Sequence, residues 1–142
     1  LRLFHLADEP LIAALASARM PHGEPIRLEQ LAEDPFILTP RALGPTLFDA
    51  TLEACRRAGF EAVLGQSAPQ VASVLALVAA ELGVALVPES MRDASFKGVT
   101  YHDLQGNAPK VALALAIRSD EHAATVSAFV AEARFPSEPE AG

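Results

Sequence analysis

Two stretches of this sequence place polar groups where a helix is about to begin, and both have the chemistry of anion capture. The first is Thr39-Pro40-Arg41-Ala42-Leu43-Gly44-Pro45-Thr46. Gly44-Pro45 is a helix start, because proline lacks the N–H that a first turn leaves unpaired anyway. The remaining free N–H groups, the positive end of the helix dipole and the Thr46 hydroxyl favour an anion there. Arg41 adds a planar fork able to hold a carboxylate by two hydrogen bonds. The second stretch is Gln66-Ser67-Ala68-Pro69-Gln70-Val71. In an open α/β sheet it should lie beside the first, so that Gln66, Gln70 and Val71 line the same crevice. Each stretch also has an ordinary structural use. Arg41 serves equally as a solvated loop residue, Thr46 can pair within its own helix, and Ser67 with Gln70 has the form of a capping box.

Other chemistry is less well marked. The sequence has no Gly-x-Ser-x-Gly elbow and no Gly-x-x-x-x-Gly-Lys phosphate loop. Glu89 and Ser90 follow an expected strand with no histidine nearby in sequence, which reads as a polar loop or hinge. The histidines His5, His22, His102 and His122 share no metal-ligand spacing, and no metal or cofactor is expected. Cys55 is the single cysteine, so no intrachain disulfide forms, and its helical context makes it a small core residue.

The elements that must position these groups follow from apolar patterning. Residues 10–16 (PLIAALA) are a continuous apolar run of strand length, fit for a strand covered on both faces. A turn-rich segment, a short helical turn at 28–32 and a strand at 35–39 come next. A helix is expected over 45–58, with Phe48, Leu52 and Cys55 on its buried face and Gly59 as its left-handed cap. A strand at 62–66 leads to a helix carrying Val71, Val74, Leu75, Val78 and Leu82, ended by Gly83. Strands at 84–88, 99–102 and 111–117 follow, and Ser119 is placed to cap a helix reaching Arg134. This alternation defines an α/β fold with a largely parallel sheet. The tail 136–142 has the composition of a disordered end.

Bulk properties narrow the partners. A net charge of −7, with eleven basic residues scattered along the chain, is a poor match for phosphate backbones. No apolar run approaches the roughly 18 residues that cross a bilayer, and the first residues do not form a secretory signal, so a cytoplasmic location and no membrane partner are expected.

Residues 36–90 closely resemble the effector domain of LysR-type transcriptional regulators. They contain FILTPRALGPTLFDATLEACRRAGF and then PQVASVLALVAAELGVALVPES. The most telling piece is LVAAELGVALVP at 77–88, where family members usually have glycine at the position of Glu81. That departure reads as conservative for a helix. DEPLIAALA and LEQLAEDPFIL upstream and VTYHDLQGNAPKVALALAIRSDEHAATVSAFVAEAR downstream match the same domain, so the resemblance covers nearly the whole chain.

The resemblance implies a fold like the type 2 periplasmic binding proteins. It is an α/β fold whose parallel-rich mixed sheet is flanked by helices, with one complete lobe plus part of a second. Residues 10–107 would form the second lobe, and 1–9 with 108–135 part of the first. It further implies that a small carboxylate effector in an inter-lobe cleft contacts Pro45, Thr46 and Leu47, and at the next helix start Val71 and Gln70. Together with the residue chemistry above, the expected effector-binding set is Arg41, Gly44, Pro45, Thr46, Leu47, Gln70 and Val71. The whole regulator would be a homo-oligomer that reaches DNA only through a winged helix-turn-helix preceding Leu1. The orphaned apolar faces of 111–117 and the last helix would then be covered by a neighbouring chain. Two other readings share the architecture. A solute-binding protein for transport predicts a secretory signal upstream, and an enzyme acting on small acids predicts an acid or base in the cleft, for which no residue is a better candidate than Glu89.

Overall fold

The structure, a computed structural model, describes residues 1–134, so the expected tail lies outside the described residues. The apolar run at 10–16 is the end of a long strand, β1 (Arg2–Ala16). Its lack of polar residues follows from what it touches. Leu11, Ala13 and Leu15 point into one hydrophobic cluster, while Ile12 and Ala14 point into another. With both faces covered, the polar half of the usual strand alternation disappears.

β1 pairs antiparallel with β4 (Ala85–Pro88) and with β5 (Val99–His102). β2 (Pro35–Leu38) and β3 (Val63–Ser67) run parallel. A bridge from Phe36 to Val84 joins the two pieces, with Val84 N–H donating to Pro35 O at 2.9 Å and Ile37 N–H to Val84 O at 2.8 Å. The resulting order is β3-β2-β4-β1-β5. The sheet is therefore mixed, as the expected fold class requires, and β1 supplies its antiparallel part.

The chain leaves β2 through helix α1 (Pro45–Arg57) outward to β3, then returns through α2 (Val71–Ala79) past β2 to β4. Crossovers in opposite directions place their helices on opposite sheet faces when both are right-handed. Accordingly Ala54 and Cys55 of α1 pack with Leu11, Phe36 and Leu86, while Val74, Leu75 and Val78 of α2 pack with Ile12, Ile37 and Val87. Each fully buried aliphatic side chain here contributes about 1.5–3 kcal/mol. The buried face of α1 differs from the expected one. Thr51, Ala54 and Cys55 are buried, with Leu47, Ala50 and Ala58 packed against them, whereas Phe48 and Leu52 are only half-buried.

The two helix ends share one device. At the end of α1, Gly59 adopts φ +90°, its N–H donating to Arg56 O (3.0 Å) and that of Phe60 to Cys55 O (3.1 Å). At the end of α2, Glu81 takes the equivalent place at φ +62°, with Glu81 N–H to Val78 O (2.9 Å) and Leu82 N–H to Leu77 O (3.1 Å). This is the two-bond Schellman closure, whose left-handed residue is usually glycine. Glu81 is thus not a conservative helical substitution, and the helix stops before Leu82 and Gly83 rather than at them. Gly83 is required for a different reason. A Cβ there would sit 2.3 Å from Pro35 O, blocking the approach that lets Val84 bond to β2.

The described residues divide into two compact units, one Glu9–Val111 and the other Leu1–Asp8 with residues 112–134. The smaller unit contains the start of β1, most of β6 (Lys110–Ile117), which pairs with β1, and helix α3 (Ala124–Arg134). Ser119 does not cap α3, because the helix begins later; the Glu121 carboxylate instead accepts the Ala123 N–H at 2.8 Å. Within this unit Leu3, Leu113 and Phe129 are exposed, Phe129 by 62%.

Candidate effector site

β2 and β3 end side by side, with Leu38 in register with Ser67. The next helix begins a few residues beyond each end, so α1 and α2 open at one edge of the sheet although they cover opposite faces. Reversal of connection direction between neighbouring parallel strands creates a crevice at such an edge. This is the geometry in which α/β sheets present helix amides to a ligand.

The first helix start is chemically bare. Its N-cap is Gly44, which offers no side-chain cap, Pro45 occupies the first turn, and that turn holds no acidic residue. Phe48 N–H is taken by Gly44 O at 3.2 Å, leaving the amides of Thr46 and Leu47 without an intrahelical acceptor. The Thr46 hydroxyl is exposed and has no hydrogen-bond partner among the described residues. Leu47 packs its side chain against the core on the α1 face of the sheet, so it can offer a ligand its amide rather than its side chain. Thr51, fully buried one turn on, satisfies its hydroxyl by donating to Leu47 O at 2.9 Å.

The second start is equally uncapped. Gln70 is the N-cap of α2, extended and without a side-chain cap bond, and no acidic residue lies in the first turn. The expected capping box between Ser67 and Gln70 does not form. β3 runs on to Ser67, and Ala68 N–H still donates to Leu38 O at 3.2 Å, so the helix starts a turn later than a box would need. Val71 is half-buried and its side chain packs against the second cluster. Gln66 and Gln70 are exposed at the same edge.

Arg41 has a partner of its own: Nε and Nη2 donate to the two oxygens of Asp49 at 2.8 and 2.9 Å, while the side chain stays largely exposed. The hydrogen bond to Asp49 holds the guanidinium above its ordinary pKa and holds the Asp49 carboxyl below the usual carboxylate range. Asp49 carried no signal in the sequence, because a contact across eight residues and a turn has no helical or strand period.

A groove of about 730 Å³ opens elsewhere in the larger unit, where buried Leu28, Ala54 and Leu104 meet the exposed side chains of Arg57 and Lys110. It includes neither the first turn of α1 nor any part of α2. His102 is fully buried, its Nδ1 bonded to Glu24 O at 2.8 Å and its Nε2 to the Thr100 hydroxyl at 2.9 Å. Cys55 is fully buried, and burial, with a smaller contribution from Glu61, pushes its thiol up to about 11. Glu89 is exposed in a single turn, Glu89–Asp93. No group of three metal-ligating side chains occurs among the described residues, and no helix among them is long and apolar enough to cross a membrane.

A mixed sheet with helices on both faces, two of them starting without side-chain caps at one edge, defines an α/β domain. The particular family is settled by sequence: residues 1–134 match the LysR substrate binding domain, and the chain belongs to that family. Among curated relatives, it is 33% identical to the HTH-type transcriptional regulator BudR of Raoultella terrigena, over 88% of this chain and 43% of that protein. It is 34% identical to the HTH-type transcriptional regulator IlvR of Caulobacter vibrioides, over 88% of this chain and 42% of that one. The chain therefore spans under half the length of these relatives, which are regulators of transcription. Among solved structures it is similar to CbnR, a LysR family transcriptional regulator (TM-score 0.80, 21% identity, 94% of this chain and 46% of that one). It is also similar to the BenM effector binding domain with its effector benzoate (TM-score 0.63, 22% identity, 97% of this chain and 67% of that one). At those identities the likeness establishes the fold.

Proposed function

We propose that this chain is the effector-sensing part of a bacterial LysR-type transcriptional regulator and that it binds a small organic carboxylate at the shared edge of β2 and β3. The observation that carries this reading is the pair of uncapped helix starts opening together, neither with an acidic residue to neutralise its dipole. The Thr46 and Leu47 amides and the Thr46 hydroxyl donate to the carboxylate, Gly44 and Pro45 shape the approach, and Gln70 and Val71 supply the second wall. The benzoate bound by the BenM domain supports an organic acid as the ligand class. The regulator identity of the relatives supports sensing over solute transport and over catalysis.

In the whole regulator, the ligand acts by differential affinity for alternative conformations, shifting their populations and thereby the promoter contacts made by a DNA-binding domain outside this chain. The regulator is a cytoplasmic homo-oligomer in this reading. Calorimetric titration of the full-length regulator with a panel of aromatic and aliphatic carboxylates tests it. Binding of at least one acid, weakened roughly tenfold by Thr46→Ala through loss of a hydrogen bond to a charged group, is the expected outcome. Failure of every acid to bind, or unchanged affinity in the variant, would refute it.

A further inference from the structure

We infer that Arg41 and Asp49 form a positioning clamp: the pair fixes the loop that ends at α1, and Arg41 does not itself touch the effector. The ligand half of this inference rests on the effector site proposed above; the structural half does not. The loop from Thr39 to Gly44 makes a tight turn in which Leu43 N–H (2.8 Å) and Gly44 N–H (3.1 Å) both donate to Pro40 O. Arg41 sits inside that turn and Asp49 lies in the second turn of α1. The two parallel N–H···O bonds between them tie the loop's outer side to the helix it precedes. Bidentate geometry matters here, because a fork gripping both oxygens fixes orientation as well as distance.

The clamp substitutes for what this helix start lacks. A helix usually fixes its entry with a side-chain cap at the N-cap, and Gly44 cannot supply one. Gly44 is also the residue whose backbone (φ −151°, ψ 67°) sets where the Thr46 and Leu47 amides point. Without an external tie, that glycine is the natural place for the loop to swing. The same contact engages Nε and Nη2 of the guanidinium with both Asp49 oxygens, so its charge is already matched before a carboxylate arrives. Recognition is thereby left to neutral donors, which hold an anion without the strength of a full ion pair and release it when its concentration falls.

Removing Asp49 separates the two roles for Arg41 by sign. If Arg41 were a ligand contact, Asp49→Ala would free its fork and tighten carboxylate binding. As a clamp, Asp49→Ala and Arg41→Ala both weaken binding, each about two- to fivefold, the range of an exposed ion pair. The charge-reversed pair Arg41→Asp with Asp49→Arg restores affinity to within about twofold, which a direct contact cannot do. The experiment titrates the full-length regulator and its variants with benzoate and with whichever panel acid the wild type binds best. Amide hydrogen exchange on the same proteins without ligand supplies the second readout. Leu43 and Gly44 amides exchange faster in each single variant and return to wild-type rates in the reversed pair. Tighter binding in Asp49→Ala, or no rescue by reversal, overturns the inference. Unchanged exchange at Leu43 and Gly44 overturns it whether or not any acid binds, whereas a wild type that binds no acid but shows the exchange pattern sinks only the effector site.

Discussion

Replacing Glu81 with glycine should stabilise this domain, and the expected size follows from the end of α2. Glu81 is held at φ +62° by the two closing bonds from its own N–H and from Leu82 N–H. An L-residue in that conformation costs roughly 1–2 kcal/mol from the contact between its Cβ and the following carbonyl. Glycine escapes that cost but gives back about 0.4–1 kcal/mol because its unfolded chain is freer. Glu81 is exposed and forms no side-chain hydrogen bond or ion pair among the described residues, so little else is lost. The net gain is about 0.5–1 kcal/mol, or a rise in Tm of roughly 2–3 °C for a domain of this size. Thermal unfolding followed by circular dichroism, with urea titration for the free energy, measures it. Gly59→Ala is the matched control. Gly59 occupies the same place in α1 at φ +90°, and a Cβ there meets nothing within 4 Å, so its substitution should cost about 1 kcal/mol by conformation alone. If Glu81→Gly proved neutral or destabilising while Gly59→Ala destabilised, the strain argument at Glu81 would be wrong.

Four further outcomes follow from the packing. Cys55 should resist thiol reagents at pH 7 in the native protein and react promptly in urea, since it is fully buried with its thiol pushed up to about 11; rapid native labelling would contradict its burial. Because that value lies above the ordinary thiol range, Cys55 ionises more readily when unfolded, so the stability this group supports is intact at neutral pH and should fall as pH rises from about 9 to 11; urea unfolding that stayed unchanged across that window would contradict it. Gly83→Ala should destabilise by about 3 kcal/mol or more, as a Cβ placed 2.3 Å from Pro35 O must push β2 and β4 apart; near-wild-type urea unfolding would refute the close approach. With Leu3, Leu113 and Phe129 exposed, this chain on its own should self-associate, and light scattering that found a well-behaved monomer would count against that.

Much of this architecture is legible in the residues. The strands at 10–16, 35–39 and 84–88 announce themselves because both faces are covered, and α1 is bounded by Pro45 and Gly59, whose backbone preferences match the positions they hold. What sequence hides is set by partners distant along the chain. The buried face of α1 shifted from Phe48 and Leu52 to Thr51 and Ala54 because the docking of the helix on its cluster, not its apolar period alone, decides which side is covered. Ser67 stayed in a strand because its neighbour Ala68 found a ladder acceptor in Leu38 O, which outcompeted the local cap. Glu81 was unreadable as a left-handed residue because nothing in a single sequence marks the exception to glycine. At the candidate site, the helix start at Pro45 fell where patterning put it and that at Val71 came a turn later than the Ser67 capping box implied, while the engagement of Arg41 by Asp49 depended on a loop conformation that no periodicity encodes.

The most direct measurement is a chemical-shift map of the backbone amides as a binding carboxylate is titrated in. The amides of Thr46, Leu47 and Val71 should shift first and together, saturating with the calorimetric affinity. Shifts confined to residues around Leu28, Arg57 and Lys110, with the two helix starts unmoved, would place the ligand in the groove beside α1 and contradict the assignment.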